Sequence, residues 1–189
     1  MCPDCHNPHS SNVEKLLSPD MPALCIKCHE KEEFSRRDVH GPVGIGMCLD
    51  CHEPHQSDEE TLLIKAIPML CYKCHREAKF TKKNIHPPVQ EGRCMECHTA
   101  HSSRYNSLLR DRDNSVCRLC HPQVFEEPHA MSGMKGKGHV LRAEKDPKRR
   151  REPFTCASCH EPHSSNWPRL YRYKASEPFE MCAHCHGSK

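Results

Sequence analysis

The stretch CPDCHNPHSS at residues 2–11 returns as CLDCHEPHQS at 48–57, CMECHTAHSS at 94–103 and CASCHEPHSS at 156–165. Between these lie shorter relatives, LCIKCH at 24–29, LCYKCH at 70–75, VCRLCH at 116–121 and MCAHCH at 181–186. The first cysteines of the first six motifs stand at 2, 25, 48, 71, 94 and 117, a fixed step of 23 residues. Long and short motifs alternate, so the repeating unit is 46 residues and the chain reads first of all as an array. No thiol falls outside the pattern: Cys2/Cys5, Cys25/Cys28, Cys48/Cys51, Cys71/Cys74, Cys94/Cys97, Cys117/Cys120, Cys156/Cys159 and Cys182/Cys185 account for all 16.

A histidine follows each pair at once: His6, His29, His52, His75, His98, His121, His160 and His186. Two thiols three residues apart can add to the two vinyl groups of one haem, and the next residue then sets an imidazole under the iron. Zinc ribbons complete a tetrahedral site with four thiolates and need no following histidine. A thioredoxin-like CxxC expects one motif inside a βαβ pattern, and iron–sulfur ligation needs no adjacent histidine. Eight covalent haem c groups are the expected cofactors, with those eight histidines as proximal ligands.

Nine histidines remain. His184 lies between the cysteines of its own motif and is poorly placed to ligate, so the expected distal ligands are His9, His40, His55, His86, His101, His129, His139 and His163. His9, His55, His101 and His163 are too near their own proximal partners to reach the far face of the same haem and should serve a neighbour. His40 and His86 each stand eight residues before a long motif, and His139 takes the corresponding place in the third gap. The motif at Cys2 has no upstream histidine, so its distal ligand is expected either from His129 or from another subunit. Met131 and Met134 are the alternative sulfur donors.

Composition agrees with a chain organised by cofactors. Hydrophobic residues are 35% of the 189 even with cysteine counted, aromatics are 5%, and 16 prolines interrupt regular structure. The expected fold is mostly irregular and small α, with short helices and loops wrapped around a chain of eight stacked haems and little or no β. Apolar residues at fixed offsets, such as Leu16/Leu17, Leu62/Leu63, Phe34 and Phe80, are expected to pack on haem faces. The regular step ends between Cys117 and Cys156, where SGMKGKGH precedes the charge cluster RAEKDPKRRR. The expected organisation is a six-haem array over 1–128, a basic Gly-rich insertion loop over 129–152 and a final two-haem unit over 153–189, forming one continuous haem chain.

The formal charge of +3 does not point to nucleic acid. Two propionates and one ferric charge per haem would carry the total to about −5 oxidised and about −13 reduced. Nor is there an apolar run of the roughly 20 residues that a membrane-spanning helix needs.

The alternation of CxxCHxPHxS with LCxxCH resembles the doubled-CxxCH family of multihaem c-type cytochromes, including octahaem forms, and is similar to extracellular cytochrome nanowire proteins. Ala100 stands where that pattern has proline, and the insertion departs from its period. The resemblance implies bis-histidine haems in alternating parallel and perpendicular pairs, and such ligation with substantial solvent exposure points to low potentials. It also implies electron transfer in the periplasm or outside the cell, either as a nanowire subunit or as a discrete carrier. The expected partners are redox proteins or extracellular acceptors, together with a homopolymer joined by inter-subunit haem ligation. Covalent haem attachment normally follows export, and no signal peptide is seen in the sequence, so the chain is expected to be mature, trimmed or partial. The rival expectation is an octahaem reductase of nitrite, hydroxylamine or tetrathionate type, which needs an open iron. With eight unaltered motifs and enough distal histidines, the chain is expected not to be an enzyme.

Overall fold

A computed structural model of the chain describes residues 1–126, 128–129 and 139–187. Its elements are short, as the motif spacing requires. Most helices run three or four residues, among them Cys2–Cys5, Ala23–Ile26, Met69–Tyr72 and Cys156–Cys159, and the longest is Pro178–His186. Many begin inside a CxxCH motif, where the histidine N–H closes back onto the first cysteine's carbonyl, as in His6 to Cys2 at 2.9 Å and His160 to Cys156 at 2.9 Å. In the first, second and fourth long motifs a proline, Pro8, Pro54 or Pro162, then stops propagation. The strands are dipeptides: β1 (Asp38–Val39) pairs antiparallel with β3 (Ser102–Ser103), and β2 (Asn84–Ile85) with β4 (Ser164–Ser165).

These pairings reach across the array, so the chain divides into two compact units that each take two stretches of sequence. One is 1–70 with 98–110; the other is 71–97 with 111–189. Ladders 38–103 and 84–165 tie the segments that follow the first two short motifs to the third and fourth long motifs.

Side chains supply little core. Among the described residues the buried hydrophobic ones are Val116, Phe154, Tyr171, Ala175 and Met181, all in the second unit. Leu16 and Leu62 remain 43% and 42% exposed. The buried polar residues are more telling. Ser102 and Ser164, both near zero exposure, accept an N–H from Arg36 (3.1 Å) and Lys82 (3.2 Å) and donate to the carbonyls of Glu33 (2.7 Å) and Lys79 (2.9 Å). The polar tail of the long motif is therefore the stitch that joins each strand pair.

The charged end of the insertion is a hairpin closed by Ala143 and Phe154, whose N–H groups donate to each other's carbonyls at 3.2 and 3.0 Å. Asp146 is 2% exposed inside it and accepts from the backbone N–H of Lys148 and Arg149 and from Arg149 Nε. Burial alone would raise its carboxyl pKa, but bonds from Ser158, Arg149 and Lys148 outweigh this and hold it at about 2. A depressed carboxylate pKa stabilises the fold above the unfolded value of 3.8 and loses that contribution as pH falls toward 2. The shift corresponds to ~2 kcal/mol. Acid unfolding followed by circular dichroism should thus show Asp146→Asn less stable than the unaltered chain at pH 6 and equal to it near pH 2. The sequence expectation for 129–152 can be followed only in this part, since residues 130–138, with Met131 and Met134, lie outside the described residues.

Candidate functional site

All 16 cysteines are free of disulfides. Their motifs come together in a fixed order: the thiol of Cys25 lies against that of Cys48, Cys71 against Cys94, and Cys117 against Cys156. In each case the first cysteine of a short motif meets the first cysteine of the next long one. Burial, then the neighbouring thiol, pushes the Cys25 pKa up, while the Cys71 thiol beside it pulls that of Cys94 down.

The second cysteines Cys28, Cys51, Cys74 and Cys120 differ in exposure. Cys28, Cys74 and Cys120 are exposed and stand outside the three thiol contacts, whereas Cys51 is half-buried and has partners of its own. The reason is local. Each second cysteine is held one tight turn on, its N–H donating to the first cysteine's carbonyl at 3.2 Å for Cys28 and Cys74 and at 3.3 Å for Cys51 and Cys120. In the first three short motifs that turn offers one thiol to the neighbouring motif and leaves the other to solvent. Both thiols of a motif nevertheless stay within a single turn, as attachment to one haem needs.

The histidines are paired as well. Ring centres lie 6.0 Å apart for His6 and His55, 5.9 Å for His52 and His101, 6.2 Å for His86 and His121, 6.3 Å for His129 and His160, and 6.1 Å for His139 and His186. Each pair joins one histidine of a CxxCH motif to one that is not. With metal–nitrogen bonds of about 2 Å, two imidazoles on opposite sides of one iron have ring centres about 6 Å apart. The donor set and spacing therefore fit a metal held between two imidazoles and tied by two thioethers. Among the described residues no group of three or more His, Cys, Asp or Glu side chains is arranged to hold a bare metal ion. Burial lowers the pKa values of His86, His101, His129 and His160, which favours the neutral, ligating imidazole.

Backbone geometry places these rings. His40 N–H donates to the His101 carbonyl at 2.9 Å, His86 to His163 at 3.0 Å and His139 to His129 at 3.2 Å. Each bond clasps two of the histidines expected as distal ligands. The His40 and His86 rings are fixed further by Nδ1–H bonds of 3.0 Å to the carbonyls of Ala100 and Pro162. In the third clasp His129 replaces the histidine of a long motif, a role invisible to repeat matching. The histidines that follow cysteine in the long motifs are oriented differently. His6, His52, His98 and His160 direct Nδ1 at the carbonyls of Lys15, Thr61, Ser107 and Arg169, at 2.7, 3.0, 2.9 and 2.8 Å.

The ring beside His6 is that of His55, while His129 lies beside His160. The second histidines of two long motifs, His55 and His101, thus reach back to the long motif before each. His40, His75, His98 and His163 also have partners. Among the described residues no histidine ring lies beside His9 or His29; His29 meets Phe34 edge-on at 6.3 Å. His184 donates from Nε2 to the Lys174 carbonyl at 2.9 Å and lies 5.0 Å from Tyr173.

Paired thiols followed by histidine, on short helices and loops with a minimal side-chain core, define a multihaem c-type cytochrome. Four segments, 1–34, 40–80, 86–125 and 148–189, match the doubled CXXCH motif family, and the chain belongs to that family. Its doubled motifs bind haem c covalently. No curated protein matches the chain. Among the described residues no helix is long and apolar enough to cross a membrane.

Proposed function

We propose that the chain carries eight haem c groups, one on each CxxCH, and conducts electrons by multistep hopping along them, in the periplasm or outside the cell. The five histidine pairs at 5.9–6.3 Å carry this reading. Bound haem c supplies a one-electron couple at each position. The residues do the rest. His55 serves the iron under His6, His101 that under His52, His86 that under His121, His129 that under His160 and His139 that under His186. His40 and His163 are distal ligands within the same scheme. Such pairs would hold a haem iron between two imidazoles and leave no place for a substrate, which would favour conduction over catalysis and set low potentials.

The three thiol contacts bring attachment points of consecutive groups together, which supports rapid exchange between neighbours. With about 24 residues for each of eight motifs in 189, the chain is too thin to insulate one from the next. A redox titration followed in the visible spectrum tests the proposal: predominantly low-spin haem titrating over a broad, low range is expected. Predominantly high-spin haem that binds nitrite or hydroxylamine and turns it over would support the reductase reading instead.

His9 favours a second proposal, assembly into a polymer. Its exposed ring is available to ligate an iron in another copy, and a head-to-tail contact that does not close generates a filament. Electron microscopy and sizing should find assemblies in the unaltered protein that His9→Ala disperses without loss of haem. Monodisperse monomers under all conditions would remove this reading.

A further inference from the structure

The same small hydrogen-bonded circuit is closed four times in this chain. Ser11, Ser57, Ser103 and Ser165, the last residue of each long motif, donate their hydroxyls to the carbonyls of Leu17, Leu63, Leu109 and Tyr171. The same oxygens accept the N–H of Val13, Glu59, Tyr105 and Trp167 at about 3 Å. Each loop so pinned turns on two consecutive left-handed residues: Lys15 and Leu16 (φ 55° and 56°), Thr61 and Leu62 (both 55°), Ser107 and Leu108 (59° and 54°), Arg169 and Leu170 (54° and 57°). L-residues avoid this region, and a β-branched one such as Thr61 most of all. The loop therefore needs outside restraint to keep the shape. Its product is the aim of one carbonyl: the first left-handed residue of each pair accepts the Nδ1–H of the motif histidine, at 2.7–3.0 Å.

We infer that Ser11, Ser57, Ser103 and Ser165 are positioning residues that set the reduction potentials of the four haems ligated by His6, His52, His98 and His160. They act through the carbonyl that each serine-pinned turn holds against the ligating imidazole. A carbonyl accepting Nδ1–H fixes the tautomer and makes the imidazole a stronger donor, which favours ferric over ferrous iron. Ser103 and Ser165 are each 3% exposed, so no water substitutes for the hydroxyl. The inference rests on the haem ligation proposed above.

Ser103→Ala in the haem-loaded protein tests it. The variant should keep eight haems by intact mass and a low-spin spectrum, while one of eight one-electron steps moves to higher potential. The expected size is about tenfold in the reduction equilibrium, or about 59 mV for a one-electron couple. Ser103→Thr, which restores a hydroxyl, should return that step, and Ser57→Ala should move a different one. An unchanged titration with all haems present overturns the inference and leaves the haem reading intact. Loss of haem or of low-spin character in both alanine variants also overturns it, since the serines would then be folding residues. An unaltered protein without covalent haem would instead sink the ligation reading itself.

Discussion

A Cys156→Ala, Cys159→Ala double variant is expected to lose one haem of eight and, with it, a large part of the stability of the second unit. Three structures meet at this motif. The Cys156 N–H donates to Asn114 Oδ1 at 2.8 Å, while Asn114 Nδ2 donates to the Leu141 carbonyl at 2.6 Å, so the helix Asp113–Arg118, the insertion and the motif share one buried amide. Cys159 packs against the cluster of Tyr171, Ala175 and Met181. The Cys156 thiol also meets that of Cys117 in the preceding motif. Two thioethers here restrict the unfolded chain as disulfides do, and losing such a cross-link typically costs about 2–5 kcal/mol. The checks are an intact mass one haem lighter, haem absorbance lower by about one eighth, and a markedly lower melting temperature. The same double substitution at Cys2 and Cys5, exposed and outside any side-chain core, should remove a haem with a much smaller effect on melting.

His129→Ala is expected to turn one low-spin haem high-spin while all eight haems remain attached. His129 is the partner of His160 at 6.3 Å, and its carbonyl holds His139, whose ring lies 6.1 Å from His186. Removing the imidazole leaves the backbone clasp, so the damage should stay with the iron under His160. A high-spin ferric signal of about one eighth of the haem, able to bind added cyanide or carbon monoxide, is the expected result by electron paramagnetic resonance and absorption. An unchanged low-spin spectrum would mean that another group ligates that iron. His184→Ala serves as the contrast: its ring is committed to Lys174 and Tyr173, and its loss should leave every haem low-spin.

The attachment chemistry was legible from residues 2–6 onward, because the requirement that joins two thiols and a histidine to one haem is local and leaves a fixed spacing. The sparse fold followed from the same fact, since a motif every 23 residues with prolines between leaves no room for long elements. The unequal setting of the two thiols in a short motif, Cys25 half-buried against Cys48 and Cys28 exposed, was not legible, because spacing treats both alike. The pairing of the histidine rings was hidden too, since it depends on contacts far apart in the chain. His6 and His55, like His52 and His101, are joined by the way long motifs fold back on one another. His129 belongs to no motif, and only the backbone bond to His139 reveals that it takes the place of one. The serines could have been suspected from their fixed place at the end of each long motif. Their work became visible only with the left-handed turns at Lys15, Thr61, Ser107 and Arg169, which no residue preference at those positions announces.

Intact mass of the protein purified from cells competent in haem c maturation tests the central claim most directly. The account predicts a single species at the polypeptide mass of 21.8 kDa plus eight haems, surviving denaturation because the attachment is covalent. A bare polypeptide mass, or one carrying fewer than eight haems with free thiols left at any motif, would contradict it.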